Sequence, residues 1–157
     1  MVNISIRTAG GRDCAAVLEV MRAAFATYET WLNPPSGSRN ETVASLEKRL
    51  EQGPCFIAEV DGVIVGCVFC ERHDNELYFG RLSVSPVWQG AGIGGRLLAA
   101  VENFARQEKV ERLTLGVRIV LTDNVHFFKQ QGFVIYGEGI HAGFDTPTYY
   151  KMEKRVV

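Results

Sequence analysis

The sequence predicts a single α/β (α+β) domain in which strands and helices alternate as β-α-α-β-β-β-α-β-α-β-β. Three observations predict it. Short apolar runs bounded by turn residues recur along the chain, and the segments between them carry apolar residues at helical spacing. The length of 157 residues is that of one ordinary domain, and no repeat, low-complexity stretch or linker divides residues 1–157. At 82–102 an apolar strand, a glycine-rich turn and an amphipathic helix follow one another directly.

Ile4 to Thr8 alternates as a first strand, and Asp13 is placed to cap a helix carrying Val17, Leu18, Met21 and Phe25. Asn33-Pro34-Pro35-Ser36-Gly37-Ser38 breaks the chain. Val43, Leu46 and Leu50 share one face of a helix predicted over Glu41 to Glu51 and stopped by Gly53-Pro54. Phe56 to Val60 and Val63 to Glu71 read as a hairpin across Asp61-Gly62, and His73-Asp74-Asn75 turns into a strand over Glu76 to Val84. After the glycines, a helix with Leu97, Leu98, Val101 and Phe104 on one face runs toward Lys109. Arg112 to Arg118 is a strand. Thr122 or Asp123 is placed to cap a short helix through Phe128, which Gly132 ends. Phe133 to Tyr136 and Thr148 to Met152 close the chain as strands around the loop Glu138 to Pro147.

With 46% apolar residues, 22% charged residues and a net charge of -1, the chain reads as a soluble enzyme or binding module with no nucleic-acid partner. The N-terminus lacks a signal peptide's basic segment and apolar run, and no stretch approaches the roughly 18 apolar residues of a membrane span. The expectation is a cytoplasmic protein with no membrane partner. Cys67 and Cys70 form a C-x-x-C inside an apolar strand, with no second pair or histidines for a metal, so buried free thiols are expected. Cys14 and Cys55 have no visible partners.

Glycines before a helix start make an anion cradle, because the first N–H groups of the helix lack intrahelical partners and the peptide dipoles add positive charge. No Gly-Lys-Ser or Gly-Lys-Thr makes this a P-loop. Gly90-x-Gly92-x-x-Gly95 formally matches a dinucleotide fingerprint. However, Glu111 precedes the next apolar stretch instead of ending it, Pro86 separates strand from loop, and too little chain remains for a full nucleotide-binding sheet. The pattern Gln89-x-x-Gly92-x-Gly94, preceded by Leu82-x-Val84-x-Pro86, resembles the acyl-CoA loop of the GNAT family, the GCN5-related N-acetyltransferases. A second family-like block, Asn124-Val-His-Phe-Phe-Lys-Gln-Gln-Gly-Phe133, lies at the expected distance downstream.

The resemblance implies a mixed, mostly antiparallel central sheet flanked by helices, with acetyl-CoA as acyl donor and no metal. It implies direct transfer to a primary amine of a small molecule or peptide. The main chain of Leu82 and Val84 would pair with pantetheine amides, and the N–H groups around Gln89, Gly90, Gly92, Ile93, Gly94 and Gly95 would hold pyrophosphate. The Val84 N–H would also stabilise the oxyanion. Asn124 would contact pantetheine or simply start its helix. By the same resemblance Phe128 would stand beside the cofactor where the family often has a tyrosine acid, and a phenyl ring donates no proton. A non-catalytic acyl-CoA-binding module is therefore the alternative, and a dehydrogenase a distant third.

Tyr78 and Glu76 lie where family members place a base or water relay. Tyr28, Glu29, Arg118 and His141 lie on segments that would rim the acceptor, as does Asp145, and His141 titrates nearest neutrality. Trp31, Phe144 and Tyr149 add aromatic character. No acidic cluster points to a polyamine and no basic patch to an anionic partner. Homodimers are common among such domains, but no self-complementary signature is visible.

Overall fold

The computed structural model describes residues 2–156. Strands β1 (Ile4–Thr8), β2 (Cys55–Val60), β3 (Val63–His73), β4 (Glu76–Val84), β5 (Arg112–Arg118), β6 (Val134–Gly139) and β7 (Tyr149–Arg155) form one sheet, ordered β1-β2-β3-β4-β5-β7-β6. All neighbours are antiparallel except β4 and β5, which run parallel. A parallel pair needs a crossover, supplied here by α3 (Ile93–Gln107). The other helices are α1 (Cys14–Phe25), α2 (Val43–Leu50) and α4 (Thr122–Gln130).

Both faces of β3 are covered, which explains its continuous apolar run. Val68 and Cys70 join a core under α3 and α4 with Leu97, Val101 and Phe128. Cys67 and Phe69 join a second core under α1 and α2 with Met21 and Leu46. The two cysteines of the C-x-x-C thus point to opposite faces. All four cysteines are buried free thiols. Burial pushes the Cys67 and Cys70 thiols up to about 12, so both stay protonated.

Element ends depart from expectation where charges or pairing compete with local signals. The Asp13 carboxylate makes no cap bond to α1. It accepts from the Gly10 N–H at 2.8 Å and pairs with Arg7 at 2.9 Å, while Arg7 also reaches Glu59 on β2 at 2.7 Å. α2 starts at Val43 rather than Glu41 because Thr42 and Ser45 form a reciprocal capping box. Neither Thr122 nor Asp123 caps α4, whose N-cap is Leu121. β7 continues to Arg155 and β6 to Gly139 because tertiary pairing extends both strands, through Arg112↔Arg155 and Gly139↔Tyr149.

Gly66 on β3 lets α3 approach the sheet. A Cβ there would lie 3.1 Å from Ile93 Cγ2, 3.1 Å from the Ser83 carbonyl and 3.2 Å from Leu97 Cδ1. Gly66→Val is expected to lower unfolding free energy by about 1–3 kcal/mol in urea titration. An unchanged midpoint would contradict this close packing.

Candidate functional site

β4 and β5 pair at Glu76↔Arg112, Leu77↔Leu113 and Tyr78↔Thr114. Beyond these residues they part, while β5 stays paired with β7 through Arg118. A bulge in β4 accompanies the parting: Cys67 opposes Ser83 and Phe69 opposes Gly80, so Val68 faces both Arg81 and Leu82. Arg81 adopts φ 57°, a conformation side chains other than glycine seldom take, and Ser83 Oγ donates to its carbonyl at 2.9 Å. Bulges increase local twist and re-aim the strand. The Ser85 N–H donates to the Val65 carbonyl at 2.8 Å. By strand alternation the Val84 N–H therefore faces away from β3, into the gap. The Val84 carbonyl on that side accepts from Gln89 Nε2 at 3.3 Å.

The gap opens into a cavity of about 780 Å³ lined from both faces of the sheet. Leu115 and Val117 belong to the core under α3 and α4, so Thr114, Gly116 and Arg118 face the opposite way. On the α4 side the lining is Leu82, Asn124, Phe127 and Phe128, largely apolar. Phe128 is buried and packs edge-on against Phe133 and Phe127. On the other side the lining is Glu76, Tyr78, Arg118, His141, Tyr149 and Lys151, largely polar.

The glycine-rich segment lies on the surface beyond Leu82. Gly90 and Gly92 have φ 86° and 82°, and Gly92 is the N-cap of α3. The first intrahelical donor is the Arg96 N–H, reaching the Gly92 carbonyl at 3.2 Å. The N–H groups of Ile93, Gly94 and Gly95 therefore have no helical acceptor and point out of the helix end. The Ile93 side chain is buried, leaving only its main chain to act there. The Gln89 N–H is already directed at the Pro86 carbonyl, at 3.5 Å.

Among the remaining predicted residues, Glu76 is committed to its neighbours. It accepts from Thr114 Oγ1 at 2.5 Å and pairs with Arg112 at 3.3 Å. Tyr78 is half-exposed, and burial of its hydroxyl raises the phenol further, keeping it protonated. His141 Nδ1 is bonded to Thr148 Oγ1, and burial together with nearby Arg118 lowers its pKa, so the imidazole is neutral at pH 7. Arg118 donates to the carbonyls of Pro34 at 2.6 Å and Pro35 at 3.0 Å, tying the α1–α2 loop to the cavity. Tyr28 and Glu29 are not brought to it: they border a separate dent of about 20 Å³ with Phe25 and Arg39. Asp145 and Phe144 do not line it either, and Trp31 packs on Tyr28.

One buried group was not legible from sequence spacing. Glu41 bridges Arg49 at 2.7 Å and Arg81 at 2.9 Å and accepts from Ser45 Oγ at 2.6 Å. Burial pushes its carboxyl up, but the hydrogen bonds from Ser45, Arg49 and Arg81 outweigh this and hold it below the usual carboxylate range. This ion pair links α2 to the β4 bulge. Glu41, Ser45 and Arg49 lie close together in sequence, but Arg81 comes from a remote strand, so no local pattern announces the link to β4.

A profile of the Acetyltransferase (GNAT) family matches residues 18–133. The chain belongs to the GNAT acetyltransferase family. It is similar to the L-amino acid N-acyltransferase MnaT of Escherichia coli strain K12, 27% identical over 152 residues, covering 89% of this chain and 85% of that relative. Its fold matches the PaiA N-acetyltransferase of Thermoplasma acidophilum in complex with coenzyme A, with a TM-score of 0.84 at 20% identity over 98% of this chain and 99% of that one. The putative acetyltransferase yncA of Salmonella typhimurium with acetyl-CoA superposes with a TM-score of 0.75 at 23% identity, covering 99% and 95%. The GNAT fold, a single α/β domain with a seven-stranded, mostly antiparallel sheet, is thus shared along the chain. GNAT relatives are N-acetyltransferases, and this chain is an acyltransferase.

Glu41→Gln removes the only carboxylate shared by Arg49 and Arg81 among the described residues. It is expected to cost on the order of 1–3 kcal/mol by urea unfolding. Because the native carboxyl is held below its unfolded value, its contribution is present near neutrality and lost as pH falls. A variant as stable as the parent at pH 7 would remove Glu41 as the tie between α2 and β4.

Proposed function

We propose that the protein transfers an acetyl group from acetyl-CoA directly to a primary amine of a small molecule or peptide. The observation that carries this is the gap between β4 and β5, which joins an apolar half beside α4 to a polar half on the opposite face. Pantetheine would enter along Leu82 and Val84 past Asn124 and Phe128, with pyrophosphate on the N–H groups of Ile93, Gly94 and Gly95 and the turn Gln89, Gly90 and Gly92. Gln89 would release the Val84 carbonyl as the cofactor pairs with it. The soluble character read from composition favours a cytoplasmic site of action.

In the reaction, the amine nitrogen bonds to the thioester carbon, the C–S bond breaks with its electron pair on sulfur, and the amine loses one proton. The Val84 N–H would hold the charge developing on the carbonyl oxygen. Phe128 offers no proton to sulfur. A thiol of ordinary acidity leaves as thiolate without one. The amine's proton needs an acceptor that is free and unprotonated at neutral pH. Glu76 has both oxygens engaged and Tyr78 stays protonated, whereas His141 is neutral. We assign proton removal to His141, with Tyr78 and Glu76 orienting the amine or a relaying water.

Acetyl-CoA incubated with a panel of amines is expected to give free thiol, and Gly95→Glu, which puts a carboxylate beside the anion cradle at a position with room for a side chain and no positive φ, is expected to abolish release with folding intact. Coenzyme A binding by calorimetry with no thiol release for any amine would favour the non-catalytic alternative. The acid limb of kcat/KM should lie below about 6.5, because activity requires neutral His141 and its pKa is lowered. His141→Gln should remove that limb; an unchanged profile would exclude this residue as base.

A further inference from the structure

The polar half of the cavity holds more positive charge than its own carboxylates neutralise. Arg118 makes no ion pair among the described residues; it donates to the two proline carbonyls. Lys151, in the same wall, has no carboxylate partner among the described residues either. Arg81, also in the wall, shares the carboxylate of Glu41 with Arg49, which lies outside the cavity. Glu76, the one acid in the cavity wall, is already paired with Arg112, which Glu153 also neutralises at 2.5 Å. A cavity that partly desolvates a guanidinium without giving it a counter-ion is built to receive an anion. The separated positions of these cations in sequence hid the basic patch, which the fold assembles.

Position along the strands makes the requirement specific. Tyr78 and Thr114 are the last paired residues of β4 and β5, and with the extra residue of the β4 bulge allowed for, counting on along both strands sets Arg118 near Ser83, between Leu82 and Val84, across the gap. The thioester is expected beside Leu82 and Val84, and Arg118 faces the opposite side of the sheet from α4. An amine attacking there has its neighbouring substituents within reach of Arg118. Phe25, Tyr78, Tyr149 and Ile140 line the remaining wall and suit an apolar side chain.

We propose that the acceptor carries a carboxylate next to its amine, as an α-amino acid does, and that Arg118 binds that carboxylate with Lys151 adding charge at the rim. Arg118 keeps donors beyond those used by Pro34 and Pro35, since a guanidinium has five N–H groups. The loop contacts hold the fork in place, so little ordering is needed when the carboxylate arrives. This assignment presupposes the acyl-transfer reaction but has its own readout.

Calorimetric titration of the protein saturated with coenzyme A, using the standard L-α-amino acids and their α-carboxamides, separates the two. The expected result is that at least one amino acid binds about tenfold or more tightly than its carboxamide. Arg118→Gln should erase that preference by weakening the acid alone, and Arg118→Lys should restore part of it. Equal binding of acids and carboxamides, or loss of both alike in Arg118→Gln, would overturn the carboxylate role and leave Arg118 as a loop tether. Binding of none of the amino acids would also overturn it. Thiol release with carboxamides only would refute this inference while sustaining acyl transfer. Carboxylate-dependent binding without thiol release from any amine would refute acyl transfer while sustaining the anion site.

Discussion

A parallel ladder that stops after three residue pairs leaves the rest of β4 with half of its backbone groups facing a gap. Buried backbone groups do not stay unpaired without cost, so the sheet is stable here only where solvent or a ligand supplies the missing partners. Each feature of the site follows from that constraint. The cavity exists because β5 remains bound to β7 instead of following β4. The Val84 N–H is available because Ser85, its neighbour, takes the bond to β3. In the proposed reaction, an acetyl group carried in from the α4 side would meet an acceptor from the other side because the sheet is open at this point.

The parting is held from both sides. On β4, the bulge at Arg81 and Leu82 is stabilised by the Ser83 hydroxyl and by the pairing of Arg81 with Glu41. Arg81 in turn packs over Gly37, where a Cβ would lie 3.0 Å from Nη2, so the α1–α2 loop is seated on the bulge. On β5, Arg118 fixes the same loop through Pro34 and Pro35. One loop thereby bridges the two strands that separate. This arrangement ties the position of the acceptor wall to the width of the gap, which is why a substitution at Glu41 bears on the site as well as on stability.

Much of the fold was legible because its signals are local. The hairpin turns, the strand over Glu76 to Val84, the strand over Arg112 to Arg118 and the glycine-rich helix start each depend on neighbours in sequence. Where the sequence misled, a competing partner had taken over: Asp13 went to Arg7, the α2 start to the Thr42 and Ser45 capping box, and the ends of β6 and β7 to ladder pairing. The site divides in the same way. The phosphate end that we propose reads directly from Gln89 to Gly95, because backbone binding needs glycines at fixed spacing. The proposed acceptor end draws on Tyr78, Thr114, Arg118, His141 and Lys151, cavity-lining residues that only the sheet brings together. Tyr28 and Glu29, beyond the end of α1, border a separate dent instead.

The account depends on the open edge of β4 meeting the acyl donor, and amide chemical-shift mapping during titration with acetyl-CoA tests that most directly. The predicted result is a contiguous set of perturbed N–H signals at Leu82, Val84 and Ile93 through Gly95, with strands β1 and β2 unaffected. Saturable binding that leaves Leu82 and Val84 unmoved would contradict it, because the donor would then lie outside the gap.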